Sequence, residues 1–212
     1  ANPSIGPLLT MESLEDEWER CKLIPSERAN FINKQLNVFT NVDEMSMLDA
    51  QTILKNNKTY DLNRLEGQIC YGGFDLSESQ DFTSACLEFP LDNRQFYVLS
   101  HSWVPMKKVK EDHEKLDWAM LESRGYLTIV PGDYVDYELV YEWFEKQREK
   151  YIIEKVGYDP AKAYLLVQQM QSAGYTMDVV RQGELTLTAP LDHLTEIFLD
   201  GNIITNNDPL YR

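Results

Sequence analysis

Residues 71–91 read YGGFDLSESQDFTSACLEFPL, and their reading decides the fold of this 212-residue chain. The stretch opens on a short β-prone run with paired glycines and closes on an acid, Asp75. A serine- and acid-rich turn follows, then a second β-prone run, TSACLEFPL. A charge at the end of a buried strand is costly unless a turn, a hydrogen-bond network or a metal ion compensates it. Asp75 therefore asks for a partner.

Downstream, QFYVLSHSWVP predicts a third strand, separated from the second by the turn LDNRQ. Consecutive strands joined by short turns are expected to pair antiparallel. KEDHEKLDWAMLESRG predicts a helix closed by Gly125, followed by the short extended stretch YLTIVPG. In DYVDYELVYEWFEKQREK, Val135, Leu139, Val140, Trp143 and Phe144 share one helical face. YIIEKVGYD reads as a strand, and PAKAYLLVQQMQSAG as a helix with Pro160 first and Gly174 at its end. TMDVVRQ adds a strand, and PLDHLTEIFLDG a last helix with Leu191, Leu194, Ile197 and Phe198 turned inward.

Upstream the pattern differs. Residues 1–66 are polar and helical in period, with Leu14, Trp18 and Cys21 spaced on one face. A second helix is expected to start at Pro25 and Ser26 and to bury Phe31, Ile32 and Leu36. MLDAQTILKNN is a third, shorter candidate. The expected division is a helical connector over 1–66 and an α/β domain over 67–212. Three meandering strands followed by β-α-β units predict a mixed sheet with helices on its faces, the strand order of the ribonuclease-H-like fold.

Composition excludes several classes. An apolar fraction of 43% and a charged fraction of 26% are those of an ordinary globular domain. No apolar run approaches the ~20 residues that span a bilayer. Cys21, Cys70 and Cys86 have no C-x-x-C spacing, which argues against a zinc site or a disulfide framework and suits a reducing compartment. The opening ANPSIGPLLT reads as a linker, so a piece of a longer protein is expected. A net charge of −15 weighs against non-specific nucleic-acid binding, although carboxylates gathered around a cation site also make a domain acidic.

In this layout Asp75 ends the first strand and Asp159 the fourth. If those strands lie side by side and parallel, both carboxylates reach the same edge, where ligands of open α/β sheets bind. Neighbouring carboxylates repel, so one takes a proton or both share a cation. Oxygen ligands without histidine or cysteine select Mg²⁺ or Mn²⁺. Such ions activate water and stabilise the leaving oxygen in phosphodiester cleavage. The plainer readings are a helix cap for Asp159 before Pro160 and a polar turn for Asp75 with Ser77 and Glu78. Asp136 reads as a first-turn acid. Asp81 reads either as support for the site or as part of the turn. His101, His113 and His193 have no nucleophile beside them, although His101 ends the third strand and faces either the site or the core. The KKVK run at 107–110 reads as a solvated face rather than a phosphate contact.

Taken in order, these pieces resemble the C-terminal nuclease domain of a tailed-bacteriophage terminase large subunit, the DNA-packaging motor that cuts concatemeric DNA. ANPSIG resembles the hand-over from the motor's ATPase domain. GGFDLSESQDFTSA resembles the first acidic motif, with Asp75 as metal ligand and Asp81 in the following turn. HSWVP and GYLTIVPGDYVDY resemble the third strand's end and the connecting segment. VGYDPAKAYLLVQQMQSAG resembles the second acidic motif, with Asp159 as ligand. RQGELTLTAPLDHL and GNIITNNDPLYR resemble the stretch leading toward a final helix.

The resemblance implies a ribonuclease-H-like, Mg²⁺- or Mn²⁺-dependent DNA endonuclease, with Asp75 and Asp159 as catalytic metal ligands. It implies double-stranded DNA, the small terminase subunit, and the portal or procapsid as partners, in the host cell cytoplasm and without a membrane. It also implies an ATPase domain in the same full-length chain, which fits the lack of a G-x-x-x-x-G-K-[ST] motif here. The family's third acid comes from a segment downstream of DPLYR. None of Asp192, Asp200 or Asp208 matches it, so weak or absent cleavage by a chain of this length is expected. Two other readings remain: a non-catalytic docking or DNA-binding module of the motor, and an ATP-binding domain of the actin and sugar-kinase kind. The second lacks the glycine after Asp75, where Leu76 and Ser77 stand.

Overall fold

The computed structural model describes residues 14–16, 18, 19, 31, 48, 50–77, 81–112, 116–181 and 183–211. The chain divides after Asn56 into two compact units. In the first, Leu14 and Phe31 are buried, and Trp18 packs against Phe31 with ring centroids 5.5 Å apart. Helix α1, Ala50–Lys55, matches the MLDAQTILKNN expectation. Cys21 and the expected start at Pro25 and Ser26 lie outside the described residues.

The second unit is built on a sheet of strands β1 (Ile69–Asp75), β2 (Thr83–Pro90), β3 (Phe96–Pro105), β4 (Leu127–Val130), β5 (Ile152–Tyr158), β6 (Met177–Val179) and β7 (Ile203–Ile204). The order is β4-β3-β2-β1-β5-β6, with β7 paired to β3. The meander β1-β2-β3 is antiparallel, whereas β1–β5, β5–β6, β3–β4 and β3–β7 run parallel. This is the mixed sheet expected from the order of elements. Helices α2 (Met106–Lys110) and α3 (Trp118–Ser123) connect β3 to β4, α4 (Glu138–Arg148) connects β4 to β5, and α5 (Tyr164–Ser172) connects β5 to β6. Helix α6 spans Glu184–Leu199.

The alternation of β2 shows how the sequence sorts the two faces. Thr83, Ala85, Leu87 and Phe89 are buried, while Ser84, Cys86 and Glu88 between them are partly exposed. The buried set joins Cys70, Phe74, Val156 and Tyr97 in the main core, which Val140 and Phe144 of α4 and Leu166, Val167 and Met170 of α5 complete. Gly72 belongs to this face. A Cβ there would lie 2.8 Å from Phe144 Cε1 and 3.0 Å from Val156 Cγ2, so only glycine lets α4 lie this close to β1. Leu65, fully buried in the same core, ties the preceding turn at Leu62–Leu65 to the sheet. A second, smaller cluster on β3 and β4 gathers Val104, Trp118, Leu121 and Leu127.

Several expectations change in detail. Among the described residues, the helix predicted across KEDHEKLDWAMLESRG is α3, and Asp112 Oδ2 accepts the Leu116 N–H and the Trp118 Nε1–H ahead of it, each at 2.9 Å. Asp117 then caps α3 through the Met120 N–H at 3.0 Å, and Gly125 ends it at φ +78°. Helix α5 begins at Tyr164, four residues after Pro160. Helix α6 begins six residues ahead of Pro190 and carries it internally, and Leu191 is 42% exposed rather than inward. The two-residue strand β7 was too short to give a period.

Candidate active site

Asp75 and Asp159 are placed by strand pairing. In the parallel pair β1–β5, Gly72 lies opposite Val156, Gly73 opposite Gly157 and Phe74 opposite Tyr158. Asp75 and Asp159 are the next residue on each side, so they leave the sheet together from adjacent strands about 4.8 Å apart. Both line one cleft of ≈ 550 Å³.

The cleft lies on the face opposite α4 and α5. Its floor is made of small side chains in cross-strand register: Gly157, Gly73, Cys86 and Ser100 in one row, Asp75, Ser84 and Ser102 in the next. Leu210, which packs with the Trp118 cluster, lines it from the C-terminal segment. Val180 lines it from the β6 end, and a Cβ on Gly157 would meet Val180 Cγ2 at 3.2 Å. The small residues are why there is a cleft rather than a packed layer.

The two carboxylates differ in their surroundings. Asp75 is exposed and takes no hydrogen bond or ion pair among the described residues. Asp159 Oδ1 accepts the Ala161 N–H at 2.8 Å, which closes a turn of the Asp-Pro-Ala kind. The local capping role is therefore real, but it serves this turn and not α5, whose N-cap is Ala163. It engages one carboxylate oxygen.

The turn after Asp75 is fixed from three sides. Ser77 N–H donates to Thr83 Oγ1 at 3.2 Å, Ser77 Oγ donates to Asp81 O at 2.9 Å, and Tyr137 OH donates to Ser77 O at 2.8 Å. Asp81 Oδ1 accepts the Phe82 N–H at 2.8 Å, so Asp81 shapes this turn. Asp136 stands just before Tyr137, the N-cap of α4, and its Oδ1 accepts the Glu138 N–H at 3.0 Å, so it caps the helix from outside while Glu138 is the first-turn acid.

The remaining candidates lie elsewhere. His101 shares the face of Trp103, away from the cleft, with its ring nitrogens 3.2 Å from Gly125 O and 2.9 Å from Thr128 Oγ1. Burial lowers its pKa, against the raising effect of the Gly125 carbonyl. His113 lies outside the described residues, and His193 is an exposed side chain of α6 beside Glu196. The KKVK run forms α2, with Val109 packed toward the Trp118 cluster.

Sequence reasoning named Asp208 only to set it aside as the third acid, and missed its structural role. It is 6% exposed, and its carboxylate accepts from Ser100 Oγ at 3.1 Å and from the Leu210 N–H at 2.9 Å. Burial pushes its pKa up, against the lowering effect of those hydrogen bonds. It holds the segment carrying Leu210 against β3. The signal available was an acid immediately before Pro209 at the head of a short turn of helix, a capping pattern. Among the described residues, no group of three or more His, Cys, Asp or Glu side chains is placed to hold a metal ion. No helix among them is long and apolar enough to cross a membrane.

A mixed sheet in this order, with helices on its faces and a cleft where parallel strands end, defines the ribonuclease-H-like α/β class. Residues 1–211 match the family described as "Terminase large subunit, endonuclease domain", and the chain belongs to it. Over 99% of its length it is similar in structure to the HK97 bacteriophage large terminase, with a TM-score of 0.69, 19% sequence identity and 44% of that chain covered. In sequence it is 23% identical over 222 residues to Protein YmfN of Escherichia coli (strain K12), across 99% of this chain and 48% of that protein. The chain thus spans about half the length of the relatives it matches. The terminase resemblance and the fold it implied are both borne out.

Proposed function

We propose that this chain is the metal-dependent DNA endonuclease module of a terminase large subunit, cutting concatemeric genomes during packaging, with Asp75 and Asp159 as its catalytic metal ligands. The observation that carries the reading is the placement of both carboxylates at the ends of adjacent parallel strands, in one open cleft.

The donor set fits a hard divalent cation, Mg²⁺ or Mn²⁺. Among the described residues Asp75 offers a carboxylate without a protein partner, and Asp159 offers one oxygen beyond its turn hydrogen bond, an all-oxygen pair. The bound cation would supply Lewis acidity and an activated water for phosphodiester hydrolysis. The chain's own residues do the positioning. Gly73 and Gly157 keep the floor low enough for a nucleic-acid backbone to approach. The turn at Ser77, pinned by Tyr137 and Thr83, fixes the end of β1 and with it Asp75.

Double-stranded DNA is the proposed substrate. The small terminase subunit, the portal or procapsid, and an ATPase domain of the same longer chain are the proposed partners, in the host cell cytoplasm. With a net charge of −15, affinity for DNA comes from local contacts and partners rather than from overall attraction. Incubation of the full-length chain with supercoiled plasmid and Mn²⁺ or Mg²⁺ tests the reading. Nicking and linearisation that EDTA stops, and that both Asp75→Ala and Asp159→Ala abolish, support it. Undiminished cleavage by either variant refutes the assignment.

A further inference from the structure

Two hydroxyls beside Asp75 have no part in the arrangement above. Ser84 lies directly opposite Asp75 in the β1–β2 ladder, and Ser102 directly opposite Ser84 in the β2–β3 ladder. The three side chains form one row across the cleft floor, on the same face. Residues paired in this way have Cα atoms about 5 Å apart, so Ser84 stands beside the carboxylate and Ser102 one strand further.

The two serines are hydrogen-bonded to each other, and they differ in burial. Their Oγ atoms are 2.9 Å apart. Ser102 is only 8% exposed, and Ser84 Oγ is the one side-chain partner of its hydroxyl among the described residues. Either hydroxyl can donate in this pair; the arrangement in which Ser102 donates keeps the more buried proton bonded, and an unbonded buried polar group costs about 1–3 kcal/mol. The Ser84 oxygen then serves as acceptor on its inner side. In that arrangement its own hydrogen turns toward the cleft, where it has no protein acceptor among the described residues. Ser100, one row away, is in a different state, because its hydroxyl already donates to Asp208. Ser84 is therefore the outward-facing donor of the cleft floor.

We infer that the Ser84 hydroxyl, oriented by Ser102, is a positioning residue that donates to a non-bridging oxygen of the DNA phosphodiester adjoining the one cleaved at Asp75. The inference rests on the endonuclease reading and adds a substrate contact to it. Hydroxyl donors suit this chain for a physical reason. Phosphate contacts by serine and threonine fix the register of a nucleic acid without adding positive charge, and a lysine in the same row would bind the two carboxylates instead.

The test uses the full-length chain, since the 212 residues alone are expected to cleave weakly or not at all, and a short DNA duplex, with cleavage followed in Mn²⁺ and binding followed by fluorescence anisotropy in Ca²⁺. Ser84→Ala is expected to raise KM and Kd by about tenfold, the order of one hydrogen bond to a charged group, while kcat stays within about twofold. Ser84→Thr, which keeps the hydroxyl, restores both. The slope of log Kd against log salt stays unchanged, because a neutral donor releases no counterion. Ser102→Ala gives a smaller rise. Wild-type KM and Kd in Ser84→Ala, or a fall in kcat with KM unchanged, overturns the inference. Asp75→Ala separates the two ideas: normal cutting by that variant removes the endonuclease reading, while the anisotropy of Ser84→Ala still reports on the hydroxyl contact.

Discussion

Phe74 and Tyr158 stack across the β1–β5 pair, with ring centroids 6.0 Å apart and planes inclined by 18°. Each ring points into the core, and each is followed in the chain by an aspartate that points the other way. The stacked pair fixes the register of two parallel strands, and the register places the carboxylates. Core packing and site geometry are one constraint here.

That arrangement predicts different costs for removing the two acids. Asp75 has no protein partner among the described residues, so Asp75→Ala is expected to leave stability within about 0.5 kcal/mol of wild type while abolishing cleavage. Asp159→Ala also loses the turn hydrogen bond to Ala161 and is expected to cost about 1 kcal/mol. Urea unfolding followed by circular dichroism reads the difference. Equal losses of stability in the two variants contradict the account of their surroundings.

The adjacent glycines serve opposite faces, and alanine separates them. At Gly72 a Cβ collides with Phe144 and Val156, so Gly72→Ala is expected to destabilise by about 1–3 kcal/mol, the range for overpacking a core. At Gly73 the nearest atom would be Cys86 Sγ at 3.5 Å, an ordinary contact. Gly73→Ala is therefore expected to fold normally but to raise the cleft floor and weaken DNA binding. Denaturation midpoints and anisotropy measured on both variants check the pair.

Asp208 gives the stability a pH dependence of known sign. Burial holds its folded-state pKa above the unfolded value, so the native state binds more protons than the unfolded chain between the two. Its contribution is fully present below about pH 4, the unfolded carboxylate value, and is lost as pH rises through the folded pKa. Asp208→Asn removes this titration. The difference in urea midpoint between variant and wild type is expected to shift in the variant's favour as pH rises from about 4 toward neutrality. A difference independent of pH contradicts the burial argument. Glu88, whose pKa burial also raises, is present in both proteins and cancels.

The thiols of the second unit are predicted to be inert in the native state. Cys86 borders the cleft, yet burial, with the Glu88 charge adding to it, pushes its pKa up to about 11, and burial pushes Cys70 up to about 12. The thiolate is the reactive form. Iodoacetamide at neutral pH is expected to leave both unmodified until urea is added, as peptide mapping reads at each position. Rapid native alkylation of Cys86 refutes this.

Much of the fold was legible in the chain because the period of the apolar residues reports the face they bury. TSACLEFPL alternates cleanly, and β2 runs Thr83–Pro90 as expected. The α4 stripe was legible for the same reason, with Val140 and Phe144 fully buried. Helix starts were less legible, because they depend on where particular polar side chains spend their hydrogen bonds. Asp112 accepts from Trp118 ahead of α3, and Asp159 closes a turn with Ala161 and leaves α5 to start at Tyr164.

What the sequence determined by itself was the inventory: strands ending in Asp75 and Asp159, helices of the right period between them, and paired glycines that announce a close approach. What only the tertiary structure decided was adjacency. Nothing local to residue 75 or residue 159 specifies that β1 and β5 lie side by side, because that pairing is enforced by a shared core under α4 and α5. The cleft is likewise a property of the assembled sheet, since its floor joins small residues from four strands. The pairing of Ser102 with Ser84 likewise follows from the β2–β3 register, and a register exists only once the chain has folded.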